Sequence, residues 1–179
     1  MPAIATWTPN DAVLDVVVPL GLAFAAGTAL VIDADPAGPR PPDGSSLARL
    51  VADGPTRADL EPQQPGPAYL ANGGVEIAEA STVISALAER WPAIVIRCPP
   101  RQPRPDGALA VAPLLPEPWG TRHAGRTLYQ RTILSPSSVP DGVVLPRPRR
   151  ATVAALLAGR RPATRDRWIR TLRTVWDAA

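Results

Sequence analysis

Apolar residues in this chain fall into short blocks separated by proline, glycine and aspartate, and the block lengths alternate between those of strands and those of helices. Ala3 to Trp7 has strand length, Thr8 to Ala12 is turn-like, and Val13 to Ala26 is an apolar run of helix length. Ala29 to Asp33 is a second strand, closed by Asp33-Ala34-Asp35-Pro36. The order strand, helix, strand predicts a βαβ unit. The run over 13–26 is too short for a bilayer, which takes about 20 residues. It reads as a buried helix covering a sheet, with a kink at Pro19.

Prolines cut the second half into smaller pieces. Pro99 to Asp106 reads as an extended loop, Ala108 to Ala112 as a strand, and Pro113 to Gly120 as irregular chain. Leu128 to Leu134 is predicted extended, Val143 to Leu145 a short strand, and Arg149 to Ala158 a helix stopped by Gly159. A last helix runs to about Asp177, with Thr164 as its N-cap and Asp166 beside it. Within it Trp168, Ile169, Leu172, Val175 and Trp176 recur at i, i+1, i+4, i+7 and i+8, an apolar stripe flanked by Arg165, Arg167, Arg170 and Arg173. A basic amphipathic helix of this kind packs on its own domain, lies on a membrane surface, or docks a protein partner.

Composition narrows the chemistry. The 179 residues are 45% apolar, enough for one well-buried core, and all 19 basic side chains are arginine. With abundant alanine and 24 prolines, part of that bias reflects GC-rich coding. The usual glycine-rich phosphate loop needs a lysine to reach the β- and γ-phosphates, and the chain has none. Residues 1–89 carry eleven acids against three arginines, and residues 90–179 five acids against sixteen arginines. Either the second half presents a basic surface to nucleic acid or anionic lipid, or the two halves neutralise each other in the fold. The single cysteine, Cys98, excludes an internal disulfide and a cysteine-cluster metal site; it reads as a small buried residue at a strand end. His123 has no second histidine to complete a zinc site, and the serines at 135–138 surround Pro136 in a turn, not a G-x-S-x-G elbow. No secretory leader is expected, since no basic region precedes an apolar stretch at the amino terminus.

Read without gaps, Trp7-Thr8-Pro9-Asn10-Asp11-Ala12-Val13-Leu14-Asp15-Val16-Val17 resembles the deviant Walker A loop of the MinD/ParA ATPases, W-S-P-K-G-G-V-G-K-T-T. In that register Asn10 stands at the signature lysine, Asp11, Ala12 and Leu14 at glycines, Asp15 at the phosphate-binding lysine and Val16 at the magnesium-binding threonine. Leu30 to Pro36 is similar to the family's L-L-I-D-A-D-P, with Asp33 and Asp35 keeping its two carboxylates. Ser46 to Asp53 is similar to the short helix that follows, and Tyr69 to Gly74 to its V-L-P-A-G turn. Ala93 to Pro100 resembles the Walker B strand Y-V-I-I-D-T-P-P, with Arg97 in place of the aspartate. The likeness spans residues 3 to about 115.

The resemblance implies an α/β fold, a mostly parallel central sheet flanked by helices, P-loop NTPase-like but shortened. Residues 1–163 would form the domain and 164–179 a basic helix packed on it. It implies just as strongly that the activity is gone. A carboxylate in place of the loop lysine sets like charge against phosphate, so a pseudo-ATPase with no cofactor is expected. Asp15 and Arg97 face each other in the family arrangement and either pair or point separately into solvent; Asp33 and Asp35 are expected to bond strand-end backbone or Arg97. The implied role is a cytoplasmic adaptor or scaffold for a positioning, pilus, secretion or conjugation assembly, with a protein partner and any homodimer constitutive. The alternatives are sequence-independent DNA binding by the arginine-rich half and an ATPase with an altered nucleotide mode. Family members end in a membrane-lying helix, which puts Arg165, Trp168, Ile169, Arg170, Leu172, Arg173 and Trp176 forward as an interaction surface.

Overall fold

Thirteen elements follow one another in the computed structural model, which describes residues 2–9, 11–38, 46–120, 123–138, 141–163 and 165–177. They are β1 (Ala3–Trp7), α1 (Ala12–Ala26), β2 (Ala29–Asp33), α2 (Leu47–Asp53), α3 (Arg57–Leu60), β3 (Pro67–Leu70), α4 (Ser81–Arg90), β4 (Ile94–Arg97), β5 (Leu109–Leu114), β6 (Thr127–Arg131), β7 (Val143–Leu145), α5 (Arg150–Leu157) and α6 (Arg167–Asp177). The strands form one seven-stranded sheet in the order β3-β2-β4-β1-β5-β6-β7, and every neighbouring pair is parallel. The chain is therefore an α/β protein with a parallel sheet flanked by helices, in a P-loop NTPase-like arrangement.

Parallel strands are connected by crossovers that cover the sheet faces, and their sequences read as continuous apolar runs where both faces are buried. The alternation along β2 and β4 sorts the two cores. Ala29, Val31, Ala93 and Val95 point to the side that holds α1, α5 and α6. Leu30, Ile32 and Ile94 point to the side that holds α2 and α4. Helix α1 is apolar nearly all round because it is covered twice, by the sheet and by α6. It continues through Pro19 to Ala26.

The pattern-based boundaries of β1, β2 and β7 match the structure, whereas others move. Strand β6 stops at Arg131 and does not run on to Leu134, because the Thr132 hydroxyl accepts the Leu134 N–H and the Ser135 hydroxyl accepts the Thr132 N–H, closing a turn. Strand β5 continues past Ala112 through Pro113 to Leu114. Helix α4 has no counterpart in the sequence reading. The cap of α6 is Asp166, whose carboxylate accepts the Trp168 and Ile169 N–H groups at 2.8 and 3.4 Å; position 164, expected to cap it, lies outside the described residues.

Candidate functional site

The period of two along β2 and β4 dictates where the charges meet. Asp33 follows Val31 and Arg97 follows Val95 on the α1 face, and Asp33 and Arg97 stand opposite each other in the register of the two strands. Asp15 lies one turn into α1, on the helix face that also buries Val18 and Leu22. All three side chains therefore converge at the carboxyl end of the sheet, between β1, β2, β4 and the start of α1. Arg97 Nε and Nη2 both donate to Asp15 Oδ2, at 2.9 and 2.5 Å. Nη1 donates to Asp33 Oδ1 at 2.7 Å, and Nη2 reaches Asp35 Oδ2 at 3.4 Å. Asp15, Asp33 and Arg97 are all buried.

Further hydrogen bonds fix the carboxylates. Asp33 Oδ1 also accepts the Asp35 N–H, and its Oδ2 accepts the Tyr69 hydroxyl at 2.7 Å. Asp35 Oδ1 accepts the Ala37 N–H. Gly38 lies so close over Asp33 that a Cβ there would run into its Oδ2. The strand-end loop is thus folded back onto its own carboxylates.

Three carboxylates share one guanidinium. Burial pushes Asp15 above the ordinary aspartate range; Arg97 pulls it back, and the charges of Asp33 and Asp35 push it up again. Burial alone would lower Arg97, but the charges of Asp33 and Asp15 and their hydrogen bonds more than reverse this, so the guanidinium stays charged. Burial, then the bond to Asp33, raises the Tyr69 phenol, which remains a donor. Cys98 is buried next to the cluster at the end of β4, its thiol pushed up to about 11 by burial first and Asp15 second, so it is no nucleophile at neutral pH.

The start of α1 is equally occupied. Asp11 Oδ1 accepts the N–H groups of Val13 and Leu14, both at 2.9 Å. A helix N-terminus is a ready anion site, and here the anion is a side chain of the chain itself. Ala12 opens the helix in solvent, Leu14 is buried in the α1 core, and Val16 is half-buried. Asn10 lies outside the described residues. The Val13 and Leu14 N–H groups and the Arg97 guanidinium, the described donors best placed to meet a phosphate here, already have carboxylates.

The carboxy-terminal surface differs from the expected one. Trp168, Ile169, Leu172 and Val175 are buried against α1, so Trp168, Ile169 and Leu172 belong to the core and not to an interaction surface. Trp168 Nε1 donates to Gln130 Oε1 at 2.7 Å, and the half-buried Trp176 donates to the Leu22 carbonyl at 3.0 Å. The apolar stripe is consumed by packing. What α6 and the residues before it leave outside is Arg165, Arg167, Arg170 and Arg173. Nine arginines between Arg147 and Arg173 are exposed, and none is ion-paired to an acid among the described residues. The ion pairs that do form join Arg49, Arg57, Arg90 and Arg97 to acids of the first half. Mutual neutralisation of the two halves therefore does not reach the last quarter of the chain.

Fold and site together define an α/β domain in a P-loop NTPase-like arrangement, with a buried ion cluster at the carboxyl end of its parallel sheet. No protein-family model matches the chain, and no curated protein matches it in sequence. Two participants were not legible beforehand: Tyr69, which reaches Asp33 only because β3 pairs with β2, and Asp11 as a cap. The second carried a signal, since aspartate before an apolar helical run is a common N-cap.

Proposed function

We propose that this chain is a MinD/ParA-like domain in which nucleotide chemistry has been replaced by a structural ion cluster, and that it serves as a cytoplasmic adaptor or scaffold for a positioning, pilus, secretion or conjugation assembly. The observation that carries this reading is the saturation of Arg97 by Asp15, Asp33 and Asp35 where the resemblance requires a triphosphate and its metal. A nucleotide would have to break those bonds and displace the Asp11 carboxylate from the helix N-terminus, exposing buried like charges to its own. A relative that switches by nucleotide-driven dimerisation would, in this form, keep one oligomeric state. Calorimetric titration with magnesium-ATP tests the first half, the expected result being no binding below millimolar concentrations; micromolar binding would overturn it. Sedimentation of the chain with and without magnesium-ATP tests the second, with one unchanged mass expected.

A second reading, sequence-independent DNA binding, is favoured by the nine exposed arginines that no acid pairs among the described residues. The Thr152 hydroxyl donates to the Asp166 carboxylate at 2.5 Å, which brings the start of α5 to the start of α6 and gathers Arg149, Arg150, Arg165 and Arg167 in one region. Affinity for a duplex should then fall with salt with a log–log slope of about −0.9 per phosphate contacted. Arg150→Gln with Arg167→Gln should flatten that slope by one to two contacts; an unchanged slope would remove this reading.

A further inference from the structure

The described residues leave six large apolar side chains exposed, and three of them stand on two neighbouring loops: Trp119 at 74%, Ile133 at 82% and Leu134 at 64%. Single exposed apolar residues are ordinary, whereas a group of them on one surface marks a contact. The strands set the position of this group. Ala110 stands opposite Trp7, the last residue of β1, and β5 runs on from there to Leu114, about 13 Å further. Leu114 in turn stands opposite Arg131 at the end of β6. The loops that follow, 115–120 and 132–138, therefore leave the carboxyl end of the sheet next to each other and beyond the end of β1.

Both loops are closed on themselves by hydrogen bonds. The Ser135 hydroxyl donates to the Leu114 carbonyl at 2.8 Å and accepts the Thr132 N–H at 2.7 Å, and the Thr132 hydroxyl accepts the Leu134 N–H at 3.1 Å. The Trp119 and Gly120 N–H groups donate to the Pro116 carbonyl at 3.0 and 3.1 Å. A Cβ on Gly120 would lie 2.5 Å from the Leu115 carbonyl oxygen, so this turn is tight. Apolar side chains presented on turns already formed need little further ordering when a partner covers them.

Charge narrows the partner. The Gln130 amide donates to the Pro146 carbonyl at 2.9 Å, which fixes the chain leaving β7 beside the end of β6, and Arg147, Arg149 and Arg150 follow it, all exposed. Glu117 is the one acid in the two loops, and from Pro118 to Arg165 the sequence holds only Asp141, which precedes β7 at the opposite end of the sheet. Large apolar tips beside a positive collar match a surface that is anionic outside and apolar beneath. Ile133 and Leu134 are successive residues of one turn, so their side chains diverge. Head groups and acyl chains surround such a tip from every side, whereas a folded protein or a duplex meets one side of it. We propose that Trp119, Ile133 and Leu134 dock this chain on an anionic lipid surface, with Arg147, Arg149 and Arg150 against the head groups. Neither the ion cluster nor DNA binding by the arginines uses the three apolar side chains, so this inference stands or falls without them.

Co-sedimentation of the full chain with vesicles tests this. Vesicles of phosphatidylcholine with phosphatidylserine are expected to bind it, and vesicles of phosphatidylcholine alone to bind at least about tenfold more weakly. Ile133→Ser with Leu134→Ser, both at exposed positions, should lower binding to the anionic vesicles at least about tenfold while leaving the melting temperature and any affinity for duplex DNA unchanged. Trp119 is the one exposed tryptophan, the other four being buried or half-buried. Lipid brominated on its acyl chains should therefore quench the fluorescence of the native chain but not that of Trp119→Phe. No binding to the anionic vesicles would overturn the proposal, as would quenching that survives Trp119→Phe. Equal binding of the double serine variant would leave the arginines alone in contact and overturn it too. Self-association that the serine variant loses, with no vesicle binding, would assign the tips to a second copy instead.

Discussion

Arg97 brings one positive charge to a buried place where three carboxylates bond it. Removing the cation should be the most damaging single change: Arg97→Leu leaves the carboxylates uncompensated, and breaking such a buried partnership costs about 3–5 kcal/mol. At about 2–4 °C per kcal/mol for a chain of this size, thermal unfolding should drop by about 10 °C. Asp15 is the opposite case. Its proton affinity is raised in the folded state, so its contribution to stability is fully present below the ordinary aspartate value of about 3.9 and is lost as the pH rises through its folded value. Asp15→Asn keeps an acceptor for Arg97 without that titration. The variant should match the native chain near pH 4 and gain on it as the pH rises to 7, read from urea midpoints; a native chain that gains on the variant would contradict the assignment. Asp11→Ala, which uncaps α1, should cost about 1 kcal/mol in the same measurement.

At the level of elements, α6 approaches α1 so closely that a side chain has no room between them. A Cβ on Gly21 would run into the Trp168 ring and lie 2.6 Å from Leu172, so Gly21→Ala should cost about 2 kcal/mol through overpacking. Trp168→Leu in the same chain should cost less in the Gly21→Ala background than alone, because the two changes share one space. The first βαβ unit was legible because its apolar blocks have the length of their elements and Asp11 and Asp33 punctuate them. The stripe on α6 was legible as amphipathic, but the partner of its apolar face was not, since α1 lies at the other end of the chain and carries no complementary pattern of its own. Helix α4 escaped because Ser81 to Arg90 fully buries only Val83 and Leu87, too few to set a period. The Asp15–Arg97 contact was open in the sequence. Asp33 and Asp35 were expected to bond strand-end backbone or Arg97, and each does both; Tyr69 as a further partner depended on the place of β3 beside β2.

For the whole molecule, the ion pairs among the described residues lie in the first part of the chain, on Asp15, Asp33, Asp35, Asp59 and Glu61, while the arginines of the last quarter face outward. No helix among the described residues is long and apolar enough to cross a membrane, and the apolar face of α6 is inside, so contact of α6 with a lipid surface would rest on its arginines and weaken at high salt. Asp15 and Arg97 should act as one energetic unit. A double-mutant cycle measures it: urea unfolding at pH 7 of the native chain, Asp15→Asn, Arg97→Gln and the double variant. Arg97→Gln is expected to cost at least about 1.5 kcal/mol more in the native background than in the Asp15→Asn background, within the range of coupling seen for groups sharing a buried network. Costs that add within about 0.5 kcal/mol would show two independent side chains and contradict it.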